Sequence, residues 1–170
     1  NPSRIREVDG IGAKRAAVIE QAWGEQRLIR NVMVFLQSHG VTPAYATRIW
    51  KKYESRSIEV IHSNPYRLAD EIFGIGFKSA DSIARSLGIS ESAPSRIQAG
   101  LLYVLKTALD DGHVYLPTDV LLAKTAEILS LSDGQIVGEI DSLRQQKRLV
   151  IEAIDEQTSV YSSAVWRAET

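Results

Sequence analysis

The chain of 170 residues contains no cysteine. That excludes disulfides and thiolate metal sites, and it fits a reducing cytoplasm. No apolar run approaches the roughly 18 residues needed to span a membrane, so no membrane partner is expected. The amino terminus shows no secretory signal pattern. A surplus of positive charge is also missing: 20 Lys and Arg stand against 21 Asp and Glu, for a formal net charge of −1. The usual electrostatic footprint of a nucleic-acid binder is therefore weak. Histidine is scarce, and His39, His62 and His113 lie too far apart to suggest a metal. They read as surface or capping residues. The phosphate-loop pattern G-x-x-x-x-G-K-[ST] does not occur, so no ATP site is expected in this segment. No catalytic residue is assigned.

What the chain does contain is a repeated turn. In Ile72-Phe73-Gly74-Ile75-Gly76-Phe77-Lys78, two glycines flank one aliphatic residue. A run with Ala80, Ile83, Ala84 and Leu87 at helical spacing comes next, and Gly88 marks a stop. Such a turn delivers backbone N–H groups to the positive end of a helix dipole, which suits an anion. Lys78 adds a full charge there. Gly10-Ile11-Gly12-Ala13-Lys14 repeats the pattern, with Ala16, Ile19, Trp23 and Gly24 at the same offsets. This predicts a first unit from Pro2 to about Gly24, and a separate helix from Glu25 to Ser38 with Leu28, Val32, Phe35 and Leu36 on its buried face. A fainter copy begins Gly40-Val41-Thr42-Pro43 and carries Ala46, Ile49 and Tyr53. Three copies in register predict a repeated supersecondary unit.

The middle copy departs from the pattern. Thr42 replaces the second glycine, Pro43 has no N–H to give, and Ala44 stands where the outer copies have lysine. It reads as architectural. Lys51, Lys52 and Arg56 read as a solvated helix end. Phe73 and Phe77 flank the glycines of the third copy. Both could be core or partly exposed aromatics, or one could stack on an unpaired base. The core or partly exposed reading is favoured for Phe73, and for Phe77 both remain open.

These residues resemble the helix-hairpin-helix family, whose tandem copies bind the nucleic-acid backbone without reading sequence. The resemblance implies that backbone N–H groups of Gly10, Gly12, Gly74 and Gly76 contact phosphates, assisted by Lys14 and Lys78. The order of the copies, followed by Gly112-His113-Val114-Tyr115-Leu116-Pro117, resembles the amino-terminal region of RecD-like ATP-dependent DNA helicases of the exodeoxyribonuclease V alpha subunit type. That implies a role in DNA repair or recombination. It also implies single-stranded or forked DNA and the helicase's own motor domains as partners, with ATP and magnesium confined to those motor domains. The chain opens on Asn1 and reads as a piece of a longer protein.

Two domains are expected: tandem helix-hairpin-helix repeats over residues 1–93, with hairpins near 10–12, 40–43 and 74–76, and a smaller module over 94–170. The polar stretch Ser90–Ser95 divides them. Residues 1–93 carry 13 Lys and Arg against 10 Asp and Glu, and residues 94–170 carry 7 against 11. In the second part, Ile97, Leu101, Val104, Leu105 and Ala108 predict a helix ending near Gly112. A short strand Val114–Leu116 should stop at Pro117. Thr118 or Asp119 should cap a helix bearing Val120, Leu121 and Leu129. Ser132 and Gln135 form a capping box ahead of Ile136, Ile140 and Leu143. Leu149–Ala153 and Ser159–Ser162 predict two strands joined by the Asp155-Glu156-Gln157 turn. The whole is mainly α, and this part resembles a winged-helix module. Its third helix shows Asp133, Glu139 and Asp141, which suits docking better than base readout. Some DNA glycosylases follow a similar hairpin with a catalytic aspartate, but Asp81 falls inside a helix and does not fill that place. The alternative to DNA binding is a docking scaffold within a repair or recombination helicase.

Overall fold

The structure, a computed structural model, describes residues 12–154, 157–164 and 167. Within these the chain is mainly helical, with one small antiparallel sheet. It forms two compact units that divide between Ile75 and Gly76, inside the third hairpin.

In the first unit, helix α1 spans Ala13–Ser38 without a break. Gly24 therefore does not end a helix, and Glu25–Ser38 is not a separate one. The reason lies in the residue after the glycine. Where Gly40 ends α1 at φ +79, the next N–H, Val41, bonds back to the Leu36 carbonyl at 3.0 Å, and Val41 itself is buried. Gly24 is succeeded by Glu25, which is exposed and accepts a 3.2 Å hydrogen bond from Gln21 one turn back. Polar helix formers on both sides leave nothing to seal a stop there. The continuous helix also shifts the buried face. Val32 and Leu36 are buried, whereas Trp23 is 46% and Leu28 is 38% exposed.

Helix α2 (Pro43–Tyr53) starts at the Thr42 N-cap, with proline at its first position. A short 3-10 turn (Glu54–Arg56) leads into α3 (Ser57–Ser63), and α4 (Arg67–Glu71) comes after it. Val41, Ala46, Ile49, Val60, Ile61, Leu68, Ile72 and Ile75 supply the apolar core of this unit.

The second unit opens with α5 (Phe77–Ser86), whose buried face is Phe77, Ala80, Ile83 and Ala84. Gly88, at φ +80, closes it as expected: Ile89 N–H returns to the Ala84 carbonyl at 3.0 Å. Then come α6 (Pro94–Asp110), β1 (Leu116–Pro117), α7 (Thr118–Leu129), α8 (Asp133–Gln145), β2 (Leu149–Ile154) and β3 (Gln157–Ser162). The sheet order is β1-β3-β2, all antiparallel, with Leu116 opposite Val160 and Ile151 opposite Val160 on the other edge. Pro117 does not stop β1 but belongs to it, opposite Ser159. An edge strand tolerates the missing N–H. Nor does Thr118 cap α7. Its hydroxyl donates to the Thr158 carbonyl at 2.9 Å, tying the helix start to β3, and Pro117 holds the N-cap position. At α8 the Ser132 N–H and hydroxyl both donate to Gln135 Oε1, at 3.2 and 2.9 Å. Gln157 lies within β3, while Asp155 and Glu156 of the expected turn lie outside the described residues.

Candidate nucleic-acid interface

The third hairpin begins as a β-turn. Ile75 N–H donates to the Ile72 carbonyl at 3.1 Å, and Gly74 at the third position has φ +90. A type II turn needs a positive φ there, which glycine supplies without strain. Ile72 and Ile75 are both buried and anchor the two ends of the turn. Phe73 and Gly74, between them, are exposed.

Helix α2 holds this turn from one side. Arg48 Nη1 donates to the Phe73 carbonyl and the Tyr45 hydroxyl donates to the Gly74 carbonyl, each at 2.7 Å. The Arg48 guanidinium lies 5.6 Å from the Tyr45 ring centre, so the two side chains also brace each other. In a trans peptide the N–H points opposite the carbonyl. Anchoring the Phe73 carbonyl on Arg48 thus turns the Gly74 N–H away from α2, where it meets no partner among the described residues. A Cβ added at Gly74 would sit 2.8 Å from Arg48 Nη1 and 3.3 Å from the Tyr45 ring. Glycine is needed here twice, for the φ value and for the close approach. Tyr45 and Arg48 were not legible as site residues in the sequence. They lie 29 and 25 residues from their partners, and no local spacing announces them.

The chain continues into α5 with Gly76 as its N-cap, in extended backbone (φ −93, ψ 176). Gly76 accepts from Ala80 N–H at 3.1 Å. Nothing lies within 4 Å of a Cβ built on it, so its environment is open. Lys78 is exposed in the first turn of α5. Gly12 holds the same place for α1 (φ −67, ψ 158), accepting from Ala16 N–H at 3.0 Å, and Lys14 is exposed in that first turn. Gly10 lies outside the described residues, so the first turn is described only from Gly12 onward. Thr42 caps α2 in the same backbone form (φ −66, ψ 154), but its Oγ1 accepts from Tyr45 N–H at 3.4 Å. With Pro43 next, this helix start has fewer donors to offer than the other two. Ala16, Ala46 and Ala80, four residues after each N-cap, are all buried.

The two phenylalanines reverse the expectation at Phe73. It is 91% exposed, while Phe77 is 6% exposed and stacks on Tyr103 with ring centres 5.1 Å apart. A residue in the second position of a surface turn has no core to enter, whereas Phe77 is the first residue of an amphipathic helix.

Asp81 is committed to structure. It accepts from Arg96 Nε at 2.9 Å and from Arg96 Nη2 at 3.3 Å. Arg96 is 1% exposed, and its Nη1 also reaches the Glu91 and Leu129 carbonyls at 2.9 and 3.1 Å. On α8, Glu139 accepts from Gln98 Nε2 of α6 at 2.7 Å, so it joins two helices, while Asp133 and Asp141 are exposed.

Elsewhere in the first unit, Lys52, Tyr53, Glu54, Arg56, Val60 and Arg67 line an open cavity of about 170 Å³. Lys51 and Lys52 stand in the last turn of α2, and Arg56 pairs with Glu59 at 3.5 Å, as a solvated helix end would. The Tyr53 hydroxyl is shielded from solvent beside the Glu71 carboxylate. Burial, with the Glu71 carboxylate nearby, pushes its phenol up to about 12. The Arg67 guanidinium, 2.7 Å from Glu71, holds that carboxyl below its ordinary range.

Residues 25–115 match the family described as the ATP-dependent RecD2 DNA helicase HHH domain. The chain belongs to this helix-hairpin-helix family. The match takes in α2 to α6, and it begins after Gly12 and Lys14. The ATP-dependent RecD2 DNA helicase of Deinococcus radiodurans is 29% identical over 118 residues, which are 69% of this chain and 16% of that protein. The chain thus spans a small part of its relative's length. Among the described residues, no helix is long and apolar enough to cross a membrane.

Proposed function

We propose that this chain is an accessory, non-catalytic DNA-binding region of a RecD-like helicase that grips the backbone without reading bases. The observation that carries this is the braced third hairpin. Its turn carbonyls are taken up by Tyr45 and Arg48, its Gly74 N–H is left to solvent, and Gly76 and Lys78 are exposed after it. Gly12 and Lys14 repeat the helix start of that hairpin. Gly10 completes the set by resemblance. The matching N-caps at Gly12, Thr42 and Gly76 support reading the region as tandem helix-hairpin-helix copies, with the middle one architectural.

A hydrogen bond to a charged partner is worth about 1.5–3 kcal/mol. One hairpin would bind weakly once association costs are counted. Two hairpins on one chain raise the effective concentration of the second. Capture by neutral amides also explains why a net charge of −1 is compatible with the function.

Helices α6, α7 and α8 with the β1-β3-β2 sheet support a winged-helix-like module after the hairpins. Its exposed Asp133 and Asp141 favour docking, with the motor domains of the parent helicase as the partner. ATP and magnesium belong to those domains.

The test is fluorescence anisotropy of labelled single-stranded, duplex and forked DNA over a salt series. Binding should fall with salt and ignore base sequence. Lys14→Ala/Lys78→Ala should flatten the log–log salt slope by about 1 per lysine. Gly76→Ala should weaken binding while leaving the melting temperature unchanged, because its methyl group meets only the ligand. A folded chain that binds no DNA at low salt would transfer the reading to a docking scaffold.

A further inference from the structure

We propose that Phe73 stacks on an unpaired base, so that the third hairpin favours single strands over duplex. This rests on the hairpin being a DNA-backbone site.

Phe73 is 91% exposed, the highest exposure among the large apolar side chains described, so its ring contributes little to the core. Its backbone is nonetheless held on every side. Ile72 and Ile75 are buried, the Ile75–Ile72 hydrogen bond closes the turn, and Arg48 fixes the Phe73 carbonyl. A ring carried on a fixed turn loses little backbone freedom when it binds.

The surroundings select the ligand. Asp70, Glu71 and Gly74 along the chain are exposed and offer no apolar side chain, and the Glu71 carboxylate is neutralised by Arg67 at 2.7 Å. The exposed residues beside Phe73 in the chain thus add no apolar surface to it, whereas a protein partner would need an apolar patch. One aromatic face beside a free N–H and an arginine matches one nucleotide: ring to base, N–H and cation to phosphate. Bases within a duplex are already stacked on both faces, so only an unpaired base is available. Stacking on an aromatic side chain tolerates any base, which agrees with backbone capture that ignores sequence.

The experiment compares the chain and its Phe73→Ala and Phe73→Trp variants on three probes: a thymidine oligomer, a duplex of equal length, and an oligomer of abasic sites with the same backbone. Phe73→Ala should weaken binding to the thymidine oligomer about tenfold. It should leave the duplex and the abasic strand within about twofold, at an unchanged melting temperature. Phe73→Trp should keep the affinity, and its added fluorescence should be quenched by the thymidine oligomer but not by the abasic one. Equal affinity of wild type and Phe73→Ala for the thymidine oligomer overturns the inference, and so does an equal loss on all three probes. If wild type binds all three probes alike and Lys78→Ala weakens each, the backbone reading stands and this one falls. If wild type binds none, both fall.

Discussion

Gly74 and Gly76 look alike in sequence but have different duties. Gly74 combines φ +90 with a packed neighbour, whereas Gly76 has ordinary extended backbone and open space. Gly74→Ala should therefore lower stability by about 1–3 kcal/mol, from left-handed strain and the displaced Arg48, read by urea denaturation. Gly76→Ala in the same assay should change stability by under about 0.5 kcal/mol. The glycine pair is visible in the sequence, but the division of labour within it is not, because α2 supplies the close contact. A second residue-scale prediction concerns Tyr53. Its pKa in the folded chain is raised to about 12, so the neutral phenol is favoured by folding. The associated stability is complete below the ordinary tyrosine range and is lost as pH rises through it toward 12. An absorbance titration of the six tyrosines should show one lagging component, absent in Tyr53→Phe. The same variant should lose part of the alkaline fall in stability.

At the scale of elements, periodicity locates most helices, and glycines mark the ends of three of them, α1, α5 and α6. Gly40, Gly88 and Gly112 all have positive φ after a helix, and in each case the next N–H bonds back to the last turn. Gly24 broke the rule. It sits inside α1 with nothing within 4 Å of the place a methyl group would take, so only its own flexibility is at stake. Gly24→Ala should raise stability by about 1 kcal/mol, measured as an upward shift in thermal midpoint with gained helical ellipticity. A stop at Gly24 would instead make the substitution neutral or destabilising. A glycine does not by itself end a helix. The residue after it decides whether a reversal can be sealed.

Across each whole unit, long-range polar contacts decide what belongs together. The polar Ser90–Ser95 stretch looks like a linker, yet Arg96 just beyond it joins Asp81 of α5, the Glu91 carbonyl and the Leu129 carbonyl at the end of α7. The second unit therefore includes α5, and the compact units divide at Ile75–Gly76. Removing Arg96 leaves Asp81 with the longer ion pair to Arg85 at 3.5 Å and takes the donor from the Glu91 and Leu129 carbonyls. Arg96→Met should cost the second unit about 3–5 kcal/mol in urea denaturation. Asp81→Asn, which retains a hydrogen-bonding oxygen, should cost less.

Sequence alone determined the helical class, the glycine turn at Gly74, the position of most caps and the family resemblance. These arise from local spacing and backbone chemistry, which travel with the chain. Tertiary structure alone decided that α1 runs through Gly24, that Asp81 is held by Arg96, and that Tyr45 and Arg48 brace the third hairpin. It also decided that Phe73 faces solvent while Phe77 is buried. Each of these depends on which distant segment arrives beside a residue, and a side chain's period along its own element carries no record of that.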